Sequence, residues 1–572
     1  MVCLALLVGV FGGIGSVLFR SIIAFCHNLF FFGRFSLDFE PLVHTAPSPW
    51  GALIILVPVV GAVIVTWIIK TLAPEARGHG VPEVMNAIYY REGRIRPMLV
   101  GAKAVASAVS IGTGGSVGRE GPIIQIGSAF ASTLGQIISM PARQRVVLVS
   151  AGAAAGIAAT FNAPIGGLAF AMELMLVSIS ARTVSLVALA TVTATYIGRF
   201  YSGMHPTFDV PGLVHISYDH VLTLYTLFLC VPLGLLMGMV ATLFIHSIYW
   251  AEDTFDASIK NQYLRHMSGM LMVGILIYIL MRTTGHYYVD GVGYSTIMDV
   301  LTNTLTSPWL LLVLFAAKLL ATSLTLGSGA SGGVFSPSLF LGATFGAFFG
   351  TTAAQLFPAA HLDPVIFAIA GMAAMISGTT GAVITAITMM FEQTYDYSAM
   401  LPVIITVGLA YAVRSYLTPE SIYTLKLVRR GVTLPKGLQA AVSSARVAAS
   451  IMSRDFQVIE KEGLGEWQSM HKPGESPRYT IIGEDGQIIG LARDELRYLM
   501  DSADLDKLVD RNNFMVTAMT PWPVLMRGIK KTQTEVVLVM RRRHSNDVKD
   551  IIGVITAREI FAASRDEMEL VE

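Results

Sequence analysis

Residues 112–122 read G-T-G-G-S-V-G-R-E-G-P, and residues 327–337 read G-S-G-A-S-G-G-V-F-S-P. Laid together without a gap, they pair Gly112 with Gly327, Gly114 with Gly329, Ser116 with Ser331, Gly118 with Gly333 and Pro122 with Pro337. The register extends back to Lys103 on Lys318 and forward to Phe130 on Phe345, and it sets Glu120 against Phe335. Both copies sit in strongly apolar surroundings. Glycine-broken apolar segments at matching places in two halves point to a transport site inside a membrane.

The repeat continues on both sides. Residues 151–173 align without a gap on residues 370–392, and Glu173 meets Glu392. Upstream, G-H-G-V-P-E-V-M-N-A-I at 78–88 matches G-V-G-Y-S-T-I-M-D-V-L at 291–301 more weakly. Chance likeness of Ala/Gly-rich helices explains one block but not three in the same order.

The chain has 572 residues, 53% of them hydrophobic and 14% charged. Mean hydropathy is +0.61, more apolar than a soluble domain of this size needs. The formal net charge of +1 gives no basic face for nucleic acid. Cys3, Cys26 and Cys230 have neither metal-ligand nor disulfide spacing and read as buried small hydrophobes. The N-terminus lacks a basic n-region and a small-residue cleavage site, so it reads as a first membrane helix.

Long apolar candidates are residues 4–32, 52–69, 222–250, 270–281, 309–326 and 401–417. Others, at 81–90, 123–138, 338–349 and 365–377, are too short or glycine-broken for a span of about 20 residues. Irregular backbone at membrane depth is tolerated only where protein buries it or water lines it, so these pieces predict half-helices around an internal site. The expected fold is an all-α polytopic membrane domain over residues 1–427, with repeat halves near 1–205 and 215–420 and many tilted or broken helices. A linker at 428–446 then leads to a small α/β domain at 447–572.

Three loops share a design: Gly78-His79-Gly80-Val81-Pro82, Gly118-Arg119-Glu120-Gly121-Pro122 and Gly333-Val334-Phe335-Ser336-Pro337. Each sets glycines before a proline that opens an apolar helix, where proline's missing N–H costs nothing. Glycines let successive N–H groups point at one spot, and a helix N-terminus adds partial positive charge. Several such ends converging in a low-dielectric interior make an anion site. Glu120 stands beside it. Its carboxylate can take the place the anion wants, and protonation releases it, so one residue serves as gate and proton carrier. The competing role for Glu120 is a structural partner of Arg119. A sodium-coupled symporter would want unwound carbonyls and a Ser/Thr/Asn-rich sodium site. An enzyme would want a Ser–His, paired-Asp or H-E-x-x-H arrangement, and no such pattern occurs.

These motifs resemble the CLC family of chloride channels and chloride/proton exchangers, over roughly residues 78–425. Family signatures G-S-G-I-P, G-[KR]-E-G-P and G-x-F-x-P correspond to the three loops, and F-N-A-P-I-G-G at 161–167 and P-E-S-I-Y at 419–423 also fit. The resemblance implies inverted-topology halves and a homodimer with one anion pathway per subunit. It implies an integral protein of the bacterial inner membrane with a cytoplasmic C-terminal domain and no required cofactor. By the same resemblance Glu120 is the gating glutamate, the N–H groups of Val334 and Phe335 contact a central chloride or similar anion, and the Tyr423 hydroxyl reaches it. Gly78, Gly80, Gly118, Arg119, Gly121 and Gly333 belong to the same loops.

Two positions depart from the family pattern. The central serine is His79, whose imidazole N–H can replace a hydroxyl donor or turn away. The internal proton-transfer glutamate of the exchangers is Leu174, which cannot ionise. The reading is therefore chloride transport gated by Glu120, channel-like or weakly proton-coupled, with a chloride/proton antiporter as the alternative.

Residues 447–500 and 513–565 each resemble a CBS motif. In such pairs a closing threonine and acid can hold an adenosine ribose. Thr556 and Glu559 fit that pattern, whereas residues 493–495 lack the threonine. A regulatory adenine nucleotide or a purely dimerising role follows from the resemblance.

Overall fold

The computed structural model describes the chain apart from residues 205–206, 209–223, 396, 398, 433, 435–446, 464–478, 493–508, 521, 535, 543–544 and 570–572. The described residues form two compact units, Met1–Thr433 and Leu434–Glu572. Most of the expected linker and the expected motif at 493–495 lie outside the described residues.

The first unit is helical. Among the described residues, nine helical stretches are long and apolar enough to cross a membrane. They are accompanied by shorter helices, and the order of long and short pieces repeats. Val57–Thr71, Val81–Tyr90, Met98–Gly112, Glu120–Ile137, Ala142–Phe161, Pro164–Phe170 and Ala181–Ser202 make one series. Gln262–Thr284, Tyr294–Leu301, Pro308–Ser328, Phe335–Leu356, Pro364–Thr380, Val383–Thr394 and Met400–Leu417 make the other. Val2–His27 and the 35-residue Leu224–Ser258 stand at the head of the two series.

Of the four pieces expected to be short, Val81–Tyr90 stays short, at 10 residues. Phe335–Leu356 runs to 22 residues, because the helix continues through the polar T-T-A-A-Q stretch beyond the apolar run. Ala142–Phe161 and Ala181–Ser202 also count as long enough to cross. Their alanine, threonine and glycine content had hidden them among longer apolar runs. Cys26 and Cys230 are buried, but Cys3 is exposed, on a helix whose outer stripe of Leu7, Phe11 and Leu18 is apolar.

Small residues let the halves pack. A Cβ on Gly152 would stand 2.8 Å from the carbonyl carbon of Gly127. In the second half, a Cβ on Gly342 would stand 2.6 Å from the Met372 Cα, beside Gly371. Backbones that touch this closely leave no room for a side chain, the usual means of joining helices in lipid.

The two halves also brace each other. The Glu392 carboxylate accepts from the N–H groups of Ile165 (3.0 Å) and Gly166 (2.7 Å). Glu173 accepts from the N–H groups of Ile384 (2.8 Å) and Thr385 (2.7 Å). Each of these repeat mates thus caps the N-terminus of a helix in the other half, satisfying orphan donors and meeting the helix dipole.

The second unit contains two sheets of one plan. β1 (Phe456–Glu460) lies parallel to β2 (Tyr479–Glu484), followed by antiparallel β3 (Gln487–Ala492) and β4 (Val509–Asp510). β5 (Asn513–Thr517) lies parallel to β6 (Val536–Met540), which pairs antiparallel with β7 (Ile551–Thr556). The strand β6 is buried throughout, packed among Leu525, Val554 and Ile555. Glu559 closes a local network: it accepts from the Thr556 N–H (3.0 Å), the Thr556 hydroxyl (2.7 Å) and the Tyr479 hydroxyl (2.8 Å). Partial burial pushes the Glu559 carboxyl up, but these donors outweigh it and hold it below the usual range. The bonds therefore support the unit at neutral pH and are lost as pH falls below the ordinary glutamate value.

Because each unit has its own core, removing residues 434–572 is expected to leave a folded membrane unit with measurable anion flux. Chloride efflux from liposomes checks this; a folded but wholly inactive truncate would refute it.

Candidate functional site

The site grows from the start of two helices. Glu120 is the first residue of Glu120–Ile137, and its repeat mate Phe335 is the first residue of Phe335–Leu356. The loops before them meet in a short antiparallel bridge. Gly118 N–H donates to the Gly333 carbonyl at 2.8 Å, and Gly333 N–H returns to Gly118 at 2.6 Å. Two helix N-termini are thereby set face to face deep in the unit.

A second pair of loops is clamped around them. Lys103, completely buried, donates to the carbonyls of Ala76 (2.8 Å) and Gly78 (2.7 Å). Its mate Lys318 donates to Val289 (3.1 Å) and Gly291 (3.0 Å). The loops so held end in Gly80 at φ +81° and Gly293 at φ +77°, a left-handed turn that favours glycine. From these turns Val81–Tyr90 and Tyr294–Leu301 begin. Each lysine thus satisfies the carbonyls of its loop just before the turn that opens the short helix.

Glu120 occupies this centre with no exposed surface. Its Oε1 accepts from the Tyr294 hydroxyl at 2.7 Å and from the Ser336 hydroxyl. Its Oε2 accepts from the Ser336 N–H at 3.3 Å. The Ser336 hydroxyl also lies 3.0 Å from the Tyr294 hydroxyl. The carboxylate therefore fills an anion seat at the N-terminus of Phe335–Leu356. It is not paired with Arg119, whose guanidinium donates to the Thr160 carbonyl at 3.3 Å and lies over the Tyr294 ring at 5.3 Å. A cavity lined by Arg20, Arg119, Asp290 and residues 291–293 opens beside the loop that carries Tyr294.

On the other side, His79 and Tyr423 are buried with ring centres 5.8 Å apart. The His79 Nδ1 has no hydrogen-bond partner. Phe335 is buried and its ring lies 5.1 Å from that of Phe161. Gly121 begins the helix beside Glu120, and a Cβ there would stand 3.1 Å from the Gly333 Cα. Leu174 is half-buried in the π-helical turn Ala171–Met175.

Tyr294 and Ser336 escaped the sequence reading. Ser336 lies in the third glycine loop and Tyr294 is the fourth residue of the weaker repeat block, and neither residue type signals a role there. Among the described residues no group of three or more His, Cys, Asp or Glu side chains is arranged to hold a metal.

A twofold-repeated helical membrane unit, with helix N-termini gathered around a buried carboxylate, defines a class: a membrane transporter of small anions. A family model described as "Voltage gated chloride channel" matches residues 61–415. The chain belongs to the CLC family of anion transporters. It is 32% identical to an H(+)/Cl(-) exchange transporter ClcA from Citrobacter koseri, over 78% of this chain and 91% of that protein. It is likewise 32% identical to a protein named as a ClcB-like chloride channel from Ralstonia nicotianae, over 75% and 97%. Among solved structures, a slow cyanobacterial Cl-/H+ antiporter matches with TM-score 0.64 and 26% identity, over 75% of this chain and 97% of that one.

Proposed function

We propose that this protein moves chloride, or a similar small monovalent anion, across the membrane through a pathway gated by Glu120, with weak proton coupling or none. The observation that carries the reading is the seat of Glu120. Its carboxylate takes three hydrogen bonds at a helix N-terminus, the place a permeating anion needs. Anion and carboxylate then compete for one seat. Protonation removes the charge that wins that competition for Glu120. The Val334 and Phe335 N–H groups, the Tyr423 hydroxyl and His79 are the further donors assigned to the anion. Arg119 and Arg20, set against the single carboxylate of Asp290 in the lining of the adjoining cavity, favour anion entry over cation entry.

Weak coupling is favoured by the inner route. Leu174 cannot carry a proton, and the neighbouring Glu173 carboxylate is occupied as a cap on Val383–Thr394. The second reading, chloride/proton exchange, is favoured by the names of the ClcA relatives and of the cyanobacterial antiporter. A chloride gradient across liposomes, with proton movement recorded together with anion flux, separates the two. Chloride flux with little or no linked proton movement is expected. Uphill proton movement at a fixed ratio over several gradients would establish the exchanger.

The pathway is assigned to each subunit of a homodimer. At the second unit, Thr556 and Glu559 satisfy each other and Tyr479, which favours a structural or dimerising role over nucleotide binding. Calorimetric heat with adenine nucleotides would reverse that preference. His79→Ser is expected to change relative permeability among chloride, bromide and nitrate by about fivefold, the worth of roughly one net hydrogen bond. Reversal potentials in mixed anions read this out; identical selectivity would place His79 outside the pathway.

A further inference from the structure

Lys426 lies on the short helix Ile422–Arg429, one turn beyond Tyr423, and is 7% exposed. Its ammonium is close to the first loop: a Cβ on Gly78 would stand 2.6 Å from Nζ. Yet no described residue accepts a hydrogen bond or ion pair from it. Nearby carboxylates are committed elsewhere. Glu83 pairs with Arg430, and Glu252 pairs with Arg77 at 3.6 Å. Gly78's carbonyl is already taken by Lys103. Both carboxylates still attract it across space, but a buried ammonium whose N–H groups meet no acceptor is costly unless something accepts from them.

Its neighbours also carry polar groups without partners. The Nδ1 of buried His79 has no partner, and its ring lies tilted against that of Tyr423, 5.8 Å between centres. The Tyr423 hydroxyl makes no hydrogen bond to any described residue. Imidazole, phenol and ammonium thus gather from one loop and one helix, and among the described residues none pairs with the His79 Nδ1, the Tyr423 hydroxyl or the Lys426 ammonium. What completes such a set is a small anion.

We propose that Lys426 is a ligand-affinity determinant of the transport pathway, its ammonium lending a full positive charge to an anion held between His79 and Tyr423. This inference rests on the anion-transport reading and deepens it. The neutral donors orient the anion, and Lys426 makes the position bind tightly. The seat of Glu120 is built only from hydroxyl and backbone donors, so the two positions differ in charge. An anion arriving at the Lys426 position is retained there until Glu120 leaves its own seat.

The test is calorimetric titration of sodium chloride into the purified full-length protein, beside the Lys426→Met and Lys426→Arg variants. Removing a charge-assisted bond in Lys426→Met is expected to raise the chloride Kd about tenfold or more. Lys426→Arg keeps the charge and is expected to stay within about threefold of the unaltered protein. A Lys426→Met protein that elutes as the unaltered protein does and binds chloride equally well overturns the inference. Where methionine compromises folding, Lys426→Gln gives the same readout, and equal binding there overturns it likewise. If the unaltered protein binds no chloride at all, the transport-site reading itself fails, a result distinct from equal binding by the variants.

Discussion

Glu120→Gln makes anion flux independent of external pH and abolishes any proton movement linked to it. Glutamine keeps the length and shape of the side chain but has no proton to exchange. It also loses the charge that lets Glu120 compete with an arriving anion. The seat itself works against the amide. Ser336 N–H is a fixed donor aimed at Oε2, so the amide oxygen must take that position. The amide NH2 then faces the Tyr294 and Ser336 hydroxyls, which must turn from donating to accepting. The expected outcome is chloride efflux that is constitutive and flat across the acid to neutral range. It is measured in liposomes at several external pH values. A Glu120→Gln protein with unchanged pH dependence would remove Glu120 from the gate.

Tyr294→Phe combined with Ser336→Ala is expected to raise chloride efflux at neutral pH. Both hydroxyls donate to the same carboxylate oxygen, and hydrogen bonds to charged groups contribute about 1.5–3 kcal/mol each. Losing either shortens the residence of Glu120 in its seat. Losing one shifts the seated-to-unseated balance by roughly tenfold or more, and losing both by roughly a hundredfold. The hydroxyls also touch each other at 3.0 Å, so the two effects will not add simply, and the full double-mutant cycle is the measurement to make. Efflux in a folded double variant no faster than in the unaltered protein would show that the seat does not restrain the gate.

The sequence displayed one side of this gate and not the other. Glu120 stood out because its repeat mate is Phe335: an ionisable residue appeared where the other half places an aromatic ring. Tyr294 and Ser336 carry no such flag. Their mates are Val81 and Gly121, and a tyrosine or serine among apolar helices is ordinary. Glu173 and Glu392 were legible as repeat mates, but not that each caps a helix of the opposite half. The short helix Val81–Tyr90 was legible because its flanks carry glycine, proline and charge. The length of Phe335–Leu356 was not, because helix propensity carries a chain past the end of an apolar run when the following residues still pack.

In the second unit, the closing threonine and acid were visible as a spacing that also suits a helix cap. The Tyr479 hydroxyl, from the other sheet, shows the acid already engaged. Lys426 lies three residues beyond the 419–423 motif, where a lysine near the end of a membrane helix ordinarily reaches the surface. Its burial and its missing partner are properties of its neighbours.

The membrane unit, its two repeated halves, the helix-opening glycine loops and the carboxylate of Glu120 within them are legible along the chain. These follow from local chemistry: hydropathy, backbone freedom at glycine and proline, and self-similarity of three blocks in the same order. What each polar group faces is fixed by packing in three dimensions. Folding carries the loops of one half across those of the other, so Glu120 meets donors 174 and 216 residues away. Which donors meet a carboxylate, and which remain open for an anion, is settled by that crossing, because hydrogen bonding depends on distance and direction in space and not on separation along the chain.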